Sequence, residues 1–576
     1  MRASTAIGRS SPPPDAGSLR AVRRRAFLVL GLAAGAVLPA PATAGVTVTN
    51  FTVEAASKQA GGHPNVTITQ AFSYDNTTDS VKDAFVRLQP GLLGNPQSAA
   101  LCSQQQFSSD SCPADSVVGS VEVSAKAYLL VIPVELTNSG VVYNLRPTGA
   151  EPARVGIVVD AAGGLSKIFL QAPVYIRPGT DGYGLESTFA DQPRDSNGIP
   201  IQITKVALTF NGQASRGRFM RMPTSCGSGT SLTRANSWEA ATVFSSKTFA
   251  MTPTGCGSLG FSPRAEGFMG APGITAKGAV PPVATTLRFD PEQAALKRAE
   301  VTLPSVLSPN ISAVPRACTH AESDASACPA SSRVGTAIID SPLQAQPVRG
   351  QVYLALNSNA VLPGLVVMLP PPVGVRLDGV VDVGAAGVRN TFASNPDLPV
   401  RSFSLELEGS RPDGVVSLNK DLCADDADRT MEVRLVAQNG KEASFSQELA
   451  TPGCDPRATV SIRRTSRRRA KLVARMRAAR VGPGITGFAL RLPKTLARGR
   501  TRPFVVAGGR HMRPVTRRRL ASMRFPTEAR SATLIWRGLR TGRRLRRFAV
   551  VRLRMGDSRG HTTALKQRVR VRAKRR

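Results

Sequence analysis

The sequence predicts a mostly β protein in which two homologous, disulfide-stapled, sandwich-like modules precede a basic β domain. Three observations support this fold class. A cysteine motif occurs twice at matching places. Short segments rich in Val, Thr, Ile and aromatic residues alternate with turn-forming residues. The 51 glycines and 43 prolines suit short strands joined by many turns. Helix is therefore expected to be sparse.

Positive charge is concentrated in the C-terminal part of the chain. Residues 456–576 hold 38 of the 75 Lys and Arg residues but only Glu528 and Asp557 as acids. Residues 1–455 hold 37 basic and 37 acidic side chains, so the formal net charge of +36 lies entirely in the last part. The sequence combines a neutral body with a strongly basic C-terminal region.

Residues 1–44 have the pattern of an export signal. A basic segment that includes Arg24 and Arg25 precedes an apolar run over 26–38 and a small-residue cleavage site at 42–44. The run is shorter than the roughly 20 residues that a spanning helix needs. The basic segment also fits the twin-arginine pattern, but eight cysteines favour the general secretory route because they pair more easily outside the cytoplasm. We expect an extracellular or cell-surface location and no transmembrane segment in the mature chain.

The first module is predicted over residues 45–263. Turn-forming residues separate segments that have the composition of β-strands. These strands are expected at residues 45–53, 65–74, 121–136 and 201–210. Asn95 followed by Pro96 is a helix-start signature, so a short helix over the next residues is expected to lead to Cys102.

The second module is predicted over residues 264–456 and repeats the layout of the first. The pattern Cys-x9-Cys-Pro-Ala-x-Ser-x-Val-Gly begins at Cys102 and again at Cys318. A Gly-x-Val-Tyr segment ends at Tyr143 in the first module and at Tyr353 in the second, and a second cysteine pair closes each module. A register kept over so many residues indicates a duplication.

The eight cysteines all belong to these two modules. Four cysteines in each of two equivalent modules allow three pairing patterns, of which local pairing has the lowest loop-closure entropy. The alternative of a zinc site is disfavoured by the nine-residue gap and the lack of a nearby His. The predicted disulfides are Cys102–Cys112, Cys226–Cys256, Cys318–Cys328 and Cys423–Cys454.

Several segments resemble a known family. VKDAFVRLQPGLLGNPQ, the CSQQQF to CPADSVVG staple, VVYNLRP followed by EPARVGIVV, and the MPTSC, ANSWEA and TPTGCGSLGFSP segments are similar to secreted β-rich repeat proteins of high-GC actinobacteria. The resemblance covers about residues 45–456 and is closer in the first module, since the second lacks the Trp and the Pro-Ala-Arg segment. It implies an exported, disulfide-bonded architecture. The family has no assigned activity, so it implies no catalytic residues.

The third region, residues 457–576, is predicted to be a basic β domain. Apolar and basic residues alternate over 551–555 and 569–572, around a turn-like Gly-Asp-Ser-Arg-Gly, as in a hairpin with one buried face. Residues 488–492 and 532–536 have the composition of further strands. We predict a small immunoglobulin-like β-sandwich with a basic outer face; a disordered basic tail is the alternative.

The basic face is expected to bind anionic polymers, because exposed Arg rows attract polyanions. Wall or envelope polymers are the expected partners of an exported protein. Nucleic acid is less favoured, since Phe488, Phe504, Phe525, Trp536 and Phe548 lie mostly at apolar strand positions. Compositional bias toward Arg, useful only for solubility, is the alternative. The candidate polyanion-binding residues are Arg467, Arg468, Arg469, Arg517, Arg518, Arg519, Arg543, Arg544, Arg546 and Arg547.

The sequence lacks the motifs of the common catalytic sites. It contains no Gly-x-Ser-x-Gly elbow, phosphate loop or His-Glu-x-x-His, and the four histidines His63, His320, His511 and His561 are expected in turns or at the surface. The acidic run 421–432 has the length of a calcium loop but has Asp426 where that loop requires Gly. A solvated acidic loop is expected, with a looser calcium site between β-loops as the alternative. We predict no catalytic, cofactor or metal residues.

These observations favour an exported, non-enzymatic structural or adhesive protein of the cell envelope or extracellular space. Its basic C-terminal domain would hold it to anionic surface polymers. Two alternatives stay open at this point. One is an extracellular polysaccharide hydrolase whose carboxylates meet only in three dimensions. The other is a carbohydrate- or peptide-binding protein.

Overall fold

The chain is built almost entirely of β-strands, which confirms the predicted fold class. The computed structural model describes residues 45–129, 132–161, 166–177, 183–196, 198–356, 362–409, 414–479, 482–541, 548–558, 560 and 562–572. The predicted export signal lies outside these residues. Within them, no helix is long and apolar enough to cross a bilayer.

The first curved sheet is formed by residues of the first module. Its strands and the short ones beside it are β1 (Val46–Ala55), β2 (Val66–Tyr74), β3 (Val81–Arg87), β4 (Leu93–Gly94), β5 (Val117–Leu129), β6 (Ile132–Leu145), β7 (Ala153–Ala161), β8 (Ser166–Ile176), β9 (Leu185–Phe189), β10 (Asp195–Ser196), β11 (Ile199–Phe210), β12 (Gln213–Ala214), β13 (Gly217–Arg218), β14 (Met220–Arg221), β15 (Gly229–Ser237) and β16 (Ser245–Met251). The strand order is β1-β2-β11-β5-β6-β7-β8-β9-β3-β15-β16.

The second curved sheet follows in the second module. Its strands and their short neighbours are β17 (Arg264–Met269), β18 (Val283–Arg288), β19 (Leu296–Thr302), β20 (Leu307–Pro309), β21 (Arg333–Asp340), β22 (Val348–Ala355), β23 (Gly364–Met368), β24 (Arg376–Gly384), β25 (Gly387–Phe392), β26 (Ser402–Leu407), β27 (Val416–Leu418), β28 (Thr430–Ala437) and β29 (Glu442–Glu448). The order is β17-β18-β26-β21-β22-β23-β24-β25-β19-β28-β29.

The two sheets have the same topology. Each strand of the second sheet occupies the place of its counterpart in the first, and the small pair β4–β14 is matched by β20–β27. In both modules inward-facing aliphatic side chains form the core, as at Val66, Val121 and Val142 in the first and Val334, Val352 and Val367 in the second. The predicted duplication is therefore confirmed as a repeat of the whole sheet.

The four predicted disulfides are present. Cys102–Cys112 and Cys318–Cys328 each close a short loop, and Cys226–Cys256 and Cys423–Cys454 each close a longer one. The short loops hold the helices α1 (Gln104–Ser108) and α2 (His320–Asp324). Each helix begins with a capping box, formed by Ser103 with Gln106 and by Thr319 with Glu322. The box gives hydrogen-bond acceptors to N-terminal backbone N–H groups that have no partner within the helix.

Two details of the sequence prediction are wrong. The helix expected after Asn95 is only a 3-10 turn over Pro96–Ser98, although Asn95 caps it as predicted by accepting from the Gln97 N–H. The α-helix lies further on, inside the disulfide loop, where the Ser103 cap starts it. The strand expected over 121–136 is two strands, β5 and β6, with Leu129 paired to Ile132; the continuous β-composition hides the reversal.

The first two modules contact each other through buried polar groups. The Thr224 N–H and hydroxyl donate to the two oxygens of the buried Asp397 at 2.7 and 2.6 Å. Arg221 Nη2 donates to the carbonyl oxygen of Gln293 at 2.9 Å. Burial raises the pKa of Asp397, although Thr224 and the nearby Arg221 charge act against it.

The third domain is a two-layer sandwich. Its strands are β30 (Arg457–Ser466), β31 (Arg469–Arg477), β32 (Ile485–Arg491), β33 (Leu496–Ala497), β34 (Phe504–Ala507), β35 (Arg510–Met512), β36 (Val515–Arg517), β37 (Leu520–Ala529), β38 (Ser531–Thr541), β39 (Phe548–Asp557) and β40 (Thr562–Arg572). One layer is β35-β34-β38-β31-β30 and the other is β40-β39-β32-β37-β36, joined by the parallel pair β30–β40. The ordered strands overturn the alternative of a disordered tail.

Alternating burial explains why this arginine-rich sequence folds. Inward residues of both layers, such as Leu472, Leu490, Trp536 and Leu553, form one core, while the residues between them are half-buried or exposed. This is the period-2 pattern of a half-buried sheet. The basic side chains therefore lie on the outside of a packed apolar interior.

One buried carboxylate makes stability sensitive to acid. The Glu151 side chain is only 2% exposed and pairs with Arg154 at 2.8 Å. Burial alone would raise the pKa of Glu151, but backbone donors at Thr148 and Glu151 and the Arg154 side chain together lower it to about 2. A lowered pKa means stability that is present above the ordinary value and is lost as pH falls toward the folded-state value.

We expect Glu151→Gln to lower the free energy of unfolding at pH 7 by about 1.5–3 kcal/mol, since hydrogen bonds to a charged group are lost. The difference from the unaltered protein should shrink between about pH 4.5 and about pH 2. Urea unfolding across this pH range measures it. Glu135→Gln is the control, because Glu135 is 82% exposed and pairs with Lys126 only at 3.9 Å. A difference in unfolding free energy that stays the same across this pH range would contradict a lowered pKa of Glu151.

Candidate anion-binding surface of the C-terminal domain

The first predicted arginine cluster lies in a hairpin turn. Ser466 at the end of β30 pairs with Arg469 at the start of β31, so Arg467 and Arg468 form the turn between them. All three arginines of this cluster are exposed. The turn therefore presents its guanidinium groups to solvent.

The second predicted cluster lies in another hairpin turn. Arg517 at the end of β36 pairs with Leu520 at the start of β37, which leaves Arg518 and Arg519 as the turn. Arg518 has φ +46°, the left-handed conformation that a tight turn requires and that non-glycine residues seldom adopt. This cluster is exposed as well.

The fold brings the two turns to one end of the sandwich. The sequence did not predict this convergence. The Thr541 N–H donates to the Arg468 carbonyl oxygen at 3.0 Å, and Thr541 pairs with Leu496. At the start of the short connection that leads to Leu496, the Leu492 N–H donates to the Arg519 carbonyl oxygen at 2.8 Å. A continuous run of backbone contacts thus joins the two turns.

Strand ends bring further arginines to the same place. Arg491 ends β32, Arg540 pairs with Arg469, and Arg570 pairs with Phe548 at the start of β39. We call this set the arginine end: Arg467, Arg468, Arg469, Arg491, Arg517, Arg518, Arg519, Arg540, Arg570 and Arg572, all exposed. The predicted candidates Arg543, Arg544, Arg546 and Arg547 lie outside the described residues.

The two acidic residues of the domain lie at the opposite end. Glu528 is close to the end of β37 and accepts from the Gly484 N–H at 3.1 Å. Asp557 is the last residue of β39 and pairs with Ile485, the first residue of β32. Neither can neutralise the arginine end, so the domain carries an uncompensated positive pole.

Several basic residues face each other directly across strands. Like charges in such positions destabilise a sheet, by amounts of the order of a few tenths of a kcal/mol to 1 kcal/mol per pair. A bound anion would offset this repulsion. Four such pairs are Arg463–Lys471, Arg469–Arg540, Arg491–Arg552 and Arg552–Lys566, whereas Arg457–Arg477 lies at the opposite end.

The aromatic residues of the domain are not all in its core. Phe488, Phe525 and Trp536 are buried as predicted. Phe548 is 41% exposed, and the Arg568 guanidinium lies 4.5 Å from its ring centroid. Phe504 is half-buried and stacks on His511 at 5.7 Å. One exposed ring beside the arginine end is far from the row of stacking platforms that single-stranded nucleic acids use.

The acidic run 421–432 is held by contacts within the protein. A hydrogen bond from Lys420, at 2.8 Å, lowers the pKa of Asp426. Asp428 accepts from the Ser305 N–H and hydroxyl at 2.7 and 2.9 Å. Among the residues that the structure describes, no group of three or more His, Cys, Asp or Glu side chains could hold a metal ion.

The histidine His63 lies at the contact between the two modules. His63 lies in a loop, but its side chain is only 14% exposed and contacts Glu292 of the second module at 3.2 Å. Its Nδ1 lies 2.7 Å from the Met220 carbonyl oxygen. His320 begins α2 and His511 lies in β35, whereas His561 is outside the described residues.

A cleft of about 610 Å³ lies between the first two modules. Basic side chains predominate among its charged residues, including Arg87, Arg177 and Lys297. Asp397 is the carboxylate of the lining, and both of its oxygens are occupied by Thr224. This cleft therefore lacks the facing pair of carboxylates that glycoside hydrolysis commonly uses.

No family model and no curated protein matches the chain. Among solved structures, the chain is similar to dimeric latent PorU of Porphyromonas gingivalis at 11% identity, covering 92% of this chain and 34% of that one, with a TM-score of 0.14. This chain thus spans about a third of PorU.

Two smaller structures are matched over most of their length. One is the collagen-binding domain of the surface protein RspB of Erysipelothrix rhusiopathiae, at 9% identity, covering 54% of this chain and 93% of that one, with a TM-score of 0.16. The other is a membrane-anchored protein of Corynebacterium diphtheriae, at 9% identity over 79% and 95% of the chains, with a TM-score of 0.15. At these scores the matches carry no argument about function.

Proposed function

We propose that this is an exported structural or adhesive protein of the cell envelope or extracellular space, held to anionic surface polymers by the arginine end. The observation that carries the proposal is the convergence of two exposed arginine turns at the end of the domain away from its two carboxylates. Such a surface attracts polyanions through many weak, additive contacts and releases counterions when it binds them.

The rest of the molecule suits an extracellular role. Each of the two modules contains two internal disulfides, and such bonds persist in oxidising compartments. The export pattern of residues 1–44 points to the same compartment. The two disulfide-bonded sheets would form the body of the protein, and the basic domain would tether it.

Fractionation of producing cells tests this proposal. At low salt the protein should sediment with the cells, and a wash in about 1 M salt should release it, because the Debye length falls to about 3 Å. A chain that ends at residue 456 should appear in the medium at both salt concentrations. If the shortened chain is folded, shown by its oxidised cysteines, and still sediments with cells at low salt, the C-terminal domain is not the anchor.

A further inference from the structure

The curved sheet of the second module encloses a cavity that its side chains do not fill. The edges of the sheet meet where the Met269 N–H donates to the Ala450 carbonyl oxygen at 2.9 Å and the Ala450 N–H donates to that of Gly267 at 3.0 Å. Sheets that close with about eight strands have interiors that side chains just fill, and additional strands leave room. The cavity has a volume of about 220 Å³.

The wall of this cavity is almost wholly apolar. Leu365, Leu377 and Phe392 are buried, whereas Val381 and Leu405 are only half-buried although they point inward. Their remaining exposed surface faces the cavity. Apolar atoms that border a void lack contact partners on one side. An apolar cavity of about 150 Å³ is already large enough to bind benzene. The space therefore suits a small apolar molecule.

Among the amide side chains that the structure describes in the lining, that of Asn390 has a buried oxygen without a partner. Asn390 lies on β25 between Val388 and Phe392, on the face that lines the cavity. Its Oδ1 is buried and has no hydrogen-bond partner among the described residues. A buried acceptor without a hydrogen bond lowers the stability of the protein, and a hydroxyl group of a ligand would remove this cost by donating to it. A carboxylate would be a poor ligand, because burying a charge without a partner costs far more.

Within the described part of the chain, the equivalent place in the first module has no unpartnered oxygen like that of Asn390. Val301 pairs with Asn390, and at the equivalent place in the first module Val86 pairs with Ser187. The Ser187 hydroxyl donates to the Pro173 carbonyl oxygen at 2.9 Å, so it is satisfied within its own module. The corresponding cavity is smaller, about 170 Å³.

We propose that the second module binds one small apolar molecule with a single hydroxyl group, of the medium-chain alcohol class. Its hydrocarbon part would fill the cavity and its hydroxyl would donate to Asn390 Oδ1. The ligand would enter beside the 3-10 turn Ile311–Arg316, since the cavity-lining Ile311 is 66% exposed and Val314 is 36% exposed. Such exposed aliphatic side chains suit the passage of an apolar ligand.

Calorimetric titration of the mature chain with 1-octanol tests the proposal. We expect saturable binding of 1-octanol, at least tenfold tighter than that of octanoate at pH 8. Asn390→Leu should weaken 1-octanol by about threefold to tenfold, as expected for one neutral hydrogen bond. Absence of saturable 1-octanol binding, or equal binding of octanoate, would overturn the proposal without any variant.

A matched pair of substitutions locates the site. Val381→Phe fills the cavity and should weaken 1-octanol at least tenfold. Val380→Phe adds the same ring on the outer face of the same strand, where Val380 is 37% exposed, and should leave binding unchanged. Equal effects of the two would refute the site. Melting temperature shows whether each variant folds; if Val381→Phe does not, the octanoate and Asn390 comparisons decide.

Discussion

We expect a variant with four substitutions to bind linear polyphosphate roughly 10²–10³-fold more weakly than the mature chain at about 50 mM salt. The substitutions are Arg467→Gln, Arg468→Gln, Arg518→Gln and Arg519→Gln. The four side chains form the two turns of the arginine end and are all exposed. Each cation near a densely charged anionic surface contributes about 1 kcal/mol. Gln is shorter than Arg but is also polar, and the four side chains are exposed, so stability should change little. Fluorescence anisotropy with labelled polyphosphate measures the affinity.

A control variant with the same charge separates position from net charge. It replaces four exposed arginines that lie at the other end of the domain: Arg457, Arg475, Arg477 and Arg510. This variant should lose much less affinity than the first, because these residues are remote from the two turns. Equal losses would mean that the domain binds polyanions through its overall charge and that the arginine end is not a site.

Removal of a long-loop disulfide is expected to destabilise a module more than removal of a short-loop disulfide. In the chain-entropy model, Cys423→Ala with Cys454→Ala costs about 3.7 kcal/mol for a separation of 31, and Cys318→Ala with Cys328→Ala costs about 2.7 kcal/mol for a separation of 10. Denaturant unfolding monitored by Tyr and Trp fluorescence measures both losses. A disulfide that closes a longer loop removes more entropy from the unfolded chain, so the loss of that disulfide costs more stability.

The duplication supplies the control for this prediction. The first module has the same two loops, with separations of 30 and 10, so its long-loop pair should again cost more than its short-loop pair. If the short-loop pairs were more costly in both modules, the helices α1 and α2 inside them, and not loop closure, would dominate the stabilisation.

Local patterns in the sequence predicted much of the fold. Period-2 alternation over 551–555 and 569–572 placed two strands of the third domain correctly, because one face of each is buried. Cysteine spacing predicted all four disulfides, because a duplicated module leaves few pairings. The prediction of a helix after Asn95 was wrong, because a capping residue and a proline can start a helical turn but cannot extend it into a helix without packing.

The candidate site could be predicted only in part. Arginine runs at 467–469 and 517–519 are visible in the sequence, but their convergence depends on pairings between residues far apart in the chain, such as Thr541 with Leu496. The contact of His63 with Glu292 and the unpartnered Asn390 Oδ1 likewise arise from the packing of distant segments. Residue spacing along one chain carries no signal for either.

The salt dependence of polyphosphate binding is the most direct test of the central claim that the arginine end binds polyanions. The logarithm of the association constant should fall linearly with the logarithm of salt concentration. Replacing the four turn arginines should reduce that slope by about 3, whereas the control variant should leave it nearly unchanged. Equal slopes for the unaltered protein and the turn variant would show that these arginines do not contact the polymer and would contradict the claim.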